Sequence, residues 1–111
     1  MRKKKDLVRT QEDTIKKSFG DRMRELRQMA GISQEALADA CHLDRTYIGD
    51  VERGKINVSL INICKIAAGL NTTPQELVPT ASLFYQIALL WEEELRVARE
   101  EFQERLRSKR G

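Results

Sequence analysis

With 111 residues, 41% of them hydrophobic and 33% charged, the chain has room for one compact domain with an appendage and not for two full-sized domains. Pro and Gly are scarce, no apolar run approaches the ~18 residues of a membrane span, and the basic start leads into polar residues, unlike a secretory signal, so a folded cytoplasmic protein is expected. Two cysteines and one histidine are too few for a disulfide framework or a metal centre, no cofactor is expected, and the net charge of +3 leans mildly toward a polyanionic partner.

Residues 1–17 hold seven Lys/Arg against three Asp/Glu, a net of +4. Residues 1–12 therefore read as a basic, flexible arm, either solubilising or able to track phosphates and enter a minor groove. From Asp13 to Ala30, the apolar residues Ile15, Phe19, Met23, Leu26 and Ala30 recur every three or four positions, which predicts a first helix stopped by Gly31. Gly20 inside it costs about 1 kcal/mol against alanine and marks close packing rather than a break.

Ser33 is an N-cap for a second, short helix from Gln34 to about Cys41, with Leu37, Ala38 and Cys41 inward. After a turn at Cys41-His42-Leu43, Asp44 is expected to cap a third helix over about 45–52, with Ile48 and Val51 as its apolar face and Gly54 as its end. Ser59 opens a fourth helix through Leu70, with Leu60, Ile63, Ile66, Ala67 and Leu70 on one side, and Asn71 terminates it. Thr73-Pro74-Gln75-Glu76 has the form of a capping box with proline at the first helical position, starting a fifth helix through Val78. Five helices in one all-α domain, 13–79, are thus expected.

Beyond Pro79 the pattern changes. Phe84, Ala88, Trp91, Leu95, Ala98 and Phe102 are spaced 4, 3, 4, 3, 4, a heptad seam in a stretch without Gly or Pro, so 80–108 reads as one long additional helix. Glu92, Glu93 and Glu94 precede Arg105, Arg107, Lys109 and Arg110, the order that complements the helix dipole.

Two short helices joined by a tight turn, the second with a polar outer face, form the geometry of a DNA-reading helix-turn-helix. The stretch FGDRMRELRQMAGISQEALADACHLDRTYIGDVERGKINVSLINICKIAAGLNTTPQEL resembles the Cro- and phage-repressor-like helix-turn-helix family, also called XRE, over about 60 residues. Within it, LDRTYIGDVERGKINVSL is further similar to the controller proteins of restriction-modification systems. The resemblance implies a five-helix lambda-repressor-like domain and a transcriptional regulator that inserts the 45–52 helix into the major groove.

It also implies roles. Gln34 would bond a phosphate at the start of the supporting helix, and Arg45, Thr46 and Tyr47 would open the recognition helix toward the groove. Arg45 suits a bidentate contact to guanine O6 and N7, Thr46 a thymine methyl or a phosphate, and Tyr47 a sugar or a deformable step. Asp50 would accept from cytosine or brace an arginine, while Arg53, Lys55, Asn57 and Ser59 stand where relatives meet phosphates. Arg27 and Glu52 correspond to a structural ion pair that holds the reading helix without reading. In the turn, His42 occupies a position where the family favours glycine and positive φ, at some strain.

One recognition helix makes a small interface, so a homodimer on a pseudo-palindromic double-stranded operator is expected, with Trp91, Leu95, Ala98 and Phe102 of the terminal helix as the dimerisation seam. The alternative is an antitoxin-like or other partner-binding subunit, its terminal helix holding a second protein while the domain regulates its own operon. No membrane partner is expected, because three consecutive glutamates oppose anionic lipid. Without a glycine-rich phosphate loop, a metal cluster or a triad, the chain does not read as an enzyme.

Overall fold

The computed structural model describes residues 4–110, and among them there is no strand. Six helices follow one another: α1 (Lys4–Met29), α2 (Gln34–Cys41), α3 (Arg45–Glu52), α4 (Leu60–Gly69), α5 (Pro74–Leu77) and α6 (Ala81–Arg110). The chain divides into two compact units, one of Arg9–Pro79 and one of Thr80–Gly111 with the start of the chain.

The first helix begins earlier than its strong apolar period. Residues expected to form a flexible arm are helical from Lys4 onward, and residues 1–3 lie outside the described residues. The physical reason is local: 4–12 contain no Gly or Pro, and Leu7, Val8 and Gln11 lead at helical spacing into Ile15, so the helix gains about two turns.

The Arg9–Pro79 unit closes around one core. Phe19 and Met23 of α1, Leu37, Ala38 and Cys41 of α2, Ile48 and Val51 of α3, Ile66 and Ala67 of α4 and Leu77 of α5 are all buried together. Each large member contributes on the order of 1.5–3 kcal/mol by leaving water. Ala30, expected inward, is exposed at the end of α1. Gly20 sets the approach of α1 to α3: a Cβ there would lie 2.3 Å from the Val51 carbonyl oxygen, so only glycine lets the backbones meet.

The helix ends show which capping signals are used. The Ala36 amide donates to Ser33 Oγ (3.0 Å) and the Asn62 amide to Ser59 Oγ (3.1 Å). His42 takes the left-handed conformation (φ 56, ψ 42) after α2, as does Asn71 (φ 55) after α4. Asp44 and Thr73 occupy N-cap positions without a side-chain cap bond. Glu76 does not close a capping box, because Arg22 on α1 takes it: Arg22 Nη2 donates to Glu76 Oε2 (3.0 Å) and Nε to its carbonyl (2.8 Å). A guanidinium holding both the side chain and the backbone of α5 outcompetes the neutral backbone amide of Thr73 for the Glu76 carboxylate.

Among the described residues, two helices carry exposed apolar side chains in a row. On α4, Leu60 (76% exposed) and Ile61 (69%) face water with Cys64 and Ala68, so Leu60 points away from the core it was expected to join. On α6, Leu83, Ala88, Trp91 and Val97 are half-buried, whereas Phe84, Leu89, Leu95 and Phe102 are exposed. Arg96 bridges Glu93 and Glu100 along α6, and Arg107 pairs with Glu104. No described helix is long and apolar enough to cross a membrane.

Candidate nucleic-acid interface

α2, the turn at His42 and α3 form the helix-turn-helix, and the sequence of α3 divides its surface. Ile48, Gly49, Val51 and Glu52 are buried against the core, while Arg45 and Thr46 in the first turn are exposed. An eight-residue helix has little stability of its own. Its packed face therefore fixes where the outward side chains point.

A buried ion pair fixes α3 further. Arg27 Nε and Nη2 donate to the two carboxylate oxygens of Glu52 at 2.7 and 2.9 Å, a bidentate fork, and Nη1 donates to the Ile32 carbonyl at 2.9 Å. The side chains are only 12% and 4% exposed. Hydrogen bonding to Glu52 holds the Arg27 pKa above its ordinary value despite burial, so the cation is permanent. Gln34 joins the same carboxylate, its Nε2 donating to Glu52 Oε1 at 3.2 Å. One of the two amide hydrogens of Gln34 is thereby used inside the protein.

Of the other residues expected to touch DNA, Arg45, Thr46, Arg53, Lys55, Asn57 and Ser59 are exposed, and Tyr47 and Asp50 are half-buried. Asp50 forms an ion pair with Arg53 one turn later, the arrangement of a brace. Tyr47 is held from outside its own helix: Asn62 Nδ2 on α4 donates to Tyr47 Oη at 3.0 Å, which leaves the phenolic O–H to donate outward. Asn62 was not singled out from the sequence. Its signal is a polar side chain one turn after the Ser59 cap on a helix whose only other polar side chain of this kind is Lys65.

Among the expected seam residues of α6, Leu95, Ala98 and Phe102 are exposed. Trp91 is half-buried, with its indole nitrogen enclosed. The apolar stripe on α4 is a second unpartnered surface that periodicity alone did not separate from the core face. No group of three or more His, Cys, Asp or Glu among the described residues could hold a metal ion.

The helix-turn-helix family profile matches residues 23–77, from the last two turns of α1 to the end of α5. The control protein C.MunI of Mycoplasma is 48% identical over 64 residues, 57% of this chain and 86% of that one. C.BamHI of Bacillus amyloliquefaciens is 46% identical over 67 residues, covering 60% and 83%. Among solved structures, the restriction-modification controller protein C.AhdI of Aeromonas hydrophila superposes with a TM-score of 0.55 at 55% identity, covering 56% of this chain and 94% of that one.

Proposed function

The chain belongs to the XRE-type helix-turn-helix family of sequence-specific DNA-binding regulators, and from that premise we propose that it inserts α3 into the major groove of a pseudo-palindromic operator as a dimer. The observation that carries this reading is the division of α3: Arg45 and Thr46 face outward at its start while its opposite side is anchored by Glu52 to a buried arginine. Arg45 reads guanine, Thr46 meets a thymine methyl or a phosphate, and Tyr47, steadied by Asn62, senses a deformable step. Gln34, Lys55, Asn57 and Ser59 position the domain on phosphates, and Asp50 braces Arg53 for the same task.

In this reading 13–79 is the DNA-binding domain and the 80–108 helix the assembly element, its seam running through Trp91, Leu95, Ala98 and Phe102. The likeness to control proteins supports placing the protein in the cytoplasm, as a non-catalytic regulator of a restriction-modification gene pair. The exposed seam of α6 also favours a second reading, a subunit that binds another protein and regulates its own operon. Stability of the purified chain by itself separates the two.

Selection of binding sites from random duplex DNA tests the groove reading. A two-fold symmetric site is expected, and Arg45→Ala should lose about 1–3 kcal/mol of affinity for it with little change on unrelated DNA. Lys55→Ala should weaken binding to all sequences alike and lower the salt slope by about one. Enrichment of no sequence, with binding indifferent to Arg45, overturns the proposal.

A further inference from the structure

Asn62 donates twice, each time to a hydroxyl. Its backbone amide donates to Ser59 Oγ at 3.1 Å, and its side-chain Nδ2 donates to Tyr47 Oη at 3.0 Å. A hydroxyl holds a single O–H donor, so one whose oxygen is engaged from inside the protein keeps that hydrogen for an acceptor elsewhere. The non-bridging oxygens of a phosphodiester are such acceptors. Tyr47 is also held at two ends: its ring packs against the buried core, and its oxygen is bonded from α4. The phenol is thus fixed relative to α3, which carries it, and to α4, which holds its tip.

We propose that Asn62 is a positioning residue for DNA shape: by filling the acceptor side of the Tyr47 hydroxyl it fixes the point at which the phenolic O–H meets a phosphate. A donor held at one point discriminates between duplexes, because only a base step that deforms easily brings a phosphate oxygen to that point at little cost. A phenol free to turn would follow the phosphate instead and would treat stiff and deformable steps alike. Ser59 Oγ, filled by the backbone of the same residue, presents its hydrogen with the same polarity. Part of the sequence preference is therefore set from α4, through a side chain that itself reads no base. The inference rests on the groove reading of α3 and adds to it the residue that decides what Tyr47 senses.

The test is competition binding of the full chain to two duplexes. One is the operator obtained by selection, and the other is that operator with the pyrimidine–purine steps that do not depend on Arg45 replaced by stiff A-tract steps. The ratio of the two affinities is read for the wild type, Tyr47→Phe, Asn62→Ala, Asn62→Asp, and Asn62→Ala combined with Tyr47→Phe. Tyr47→Phe should lower the ratio about three- to tenfold, the range of one hydrogen bond, and Asn62→Ala should lower it as far. The double variant should fall no further than Tyr47→Phe. Asn62→Asp keeps the shape but only accepts, which draws the phenolic hydrogen inward, so it should lose the ratio as well. Its added charge repels both duplexes alike and cancels. Thermal unfolding reports whether each variant is folded, and should Asn62→Ala unfold, Asn62→Asp takes its place alone and in the double variant. A ratio unchanged in Tyr47→Phe or in a folded Asn62 variant overturns the inference, as does an operator without such a step. So does a further equal loss in the double variant, which would put Asn62 itself on the DNA. Arg45→Ala on the same operator separates the two failures: if it binds as the wild type does, or if no operator emerges, the groove reading falls and this inference with it, whereas if it is impaired, only the role of Asn62 is lost.

Discussion

At the scale of single residues, the Arg27–Glu52 fork is joined by one further bond on each side, from Arg27 to the Ile32 carbonyl and from Gln34 to Glu52. Glu52→Ala leaves an arginine cation enclosed without its counter-charge, and we expect a loss of about 3–5 kcal/mol in urea unfolding at neutral pH. His42→Gly should act in the opposite direction, raising stability by about 0.5–1 kcal/mol, because the left-handed backbone at φ 56 strains any side chain. The thiols provide a pH-dependent check: Cys64 is exposed, whereas burial pushes the Cys41 thiol above its ordinary pKa. A thiol reagent should consume one group quickly and the other only on unfolding. Because folded Cys41 holds its proton more tightly than unfolded Cys41, its contribution to stability is complete below the ordinary thiol pKa and declines as pH rises beyond it. His42 was legible from the sequence because positive φ is a local demand. The capture of Glu76 by Arg22 was not, since it joins positions 54 apart that only the closed core brings together.

Among the elements, the approach of α1 to α3 makes the sharpest prediction. Gly20→Ala improves helix propensity by about 1 kcal/mol, yet its methyl would lie 2.3 Å from a carbonyl oxygen that cannot move without shifting α3. Thermal unfolding should therefore show net destabilisation, and a more stable variant would mean that the two helices are further apart. The boundaries of α2 and α3 were readable because strong caps and a tight turn enclose them. α4 was harder for a stated reason: Leu60, Ile61, Ile63, Ile66, Ala67 and Leu70 surround more than one face, and amphipathic period cannot tell a core face from an unpartnered one. At the start of α1 the opposite held, where dense charge masked a segment with nothing in it to stop a helix.

For the whole molecule, the core of the Arg9–Pro79 unit draws all its buried apolar members from residues 19–77. A chain ending at Pro79 should retain a cooperative unfolding transition by circular dichroism. Loss of the transition would instead mean that the domain needs the terminal helix to fold. The helix-turn-helix family profile ends at residue 77, just before this division, which is why the groove-reading part of the chain could be inferred from a resemblance and the seam only from its own periodicity. The split surface of α3 has a consequence for inheritance. Exposed substitutions usually change stability by no more than about 0.5 kcal/mol, so codons 45 and 46 are free to mutate with almost no toll on folding. A lineage carrying this scaffold can acquire a new operator in a few mutational steps, limited by how fast the promoter changes with it.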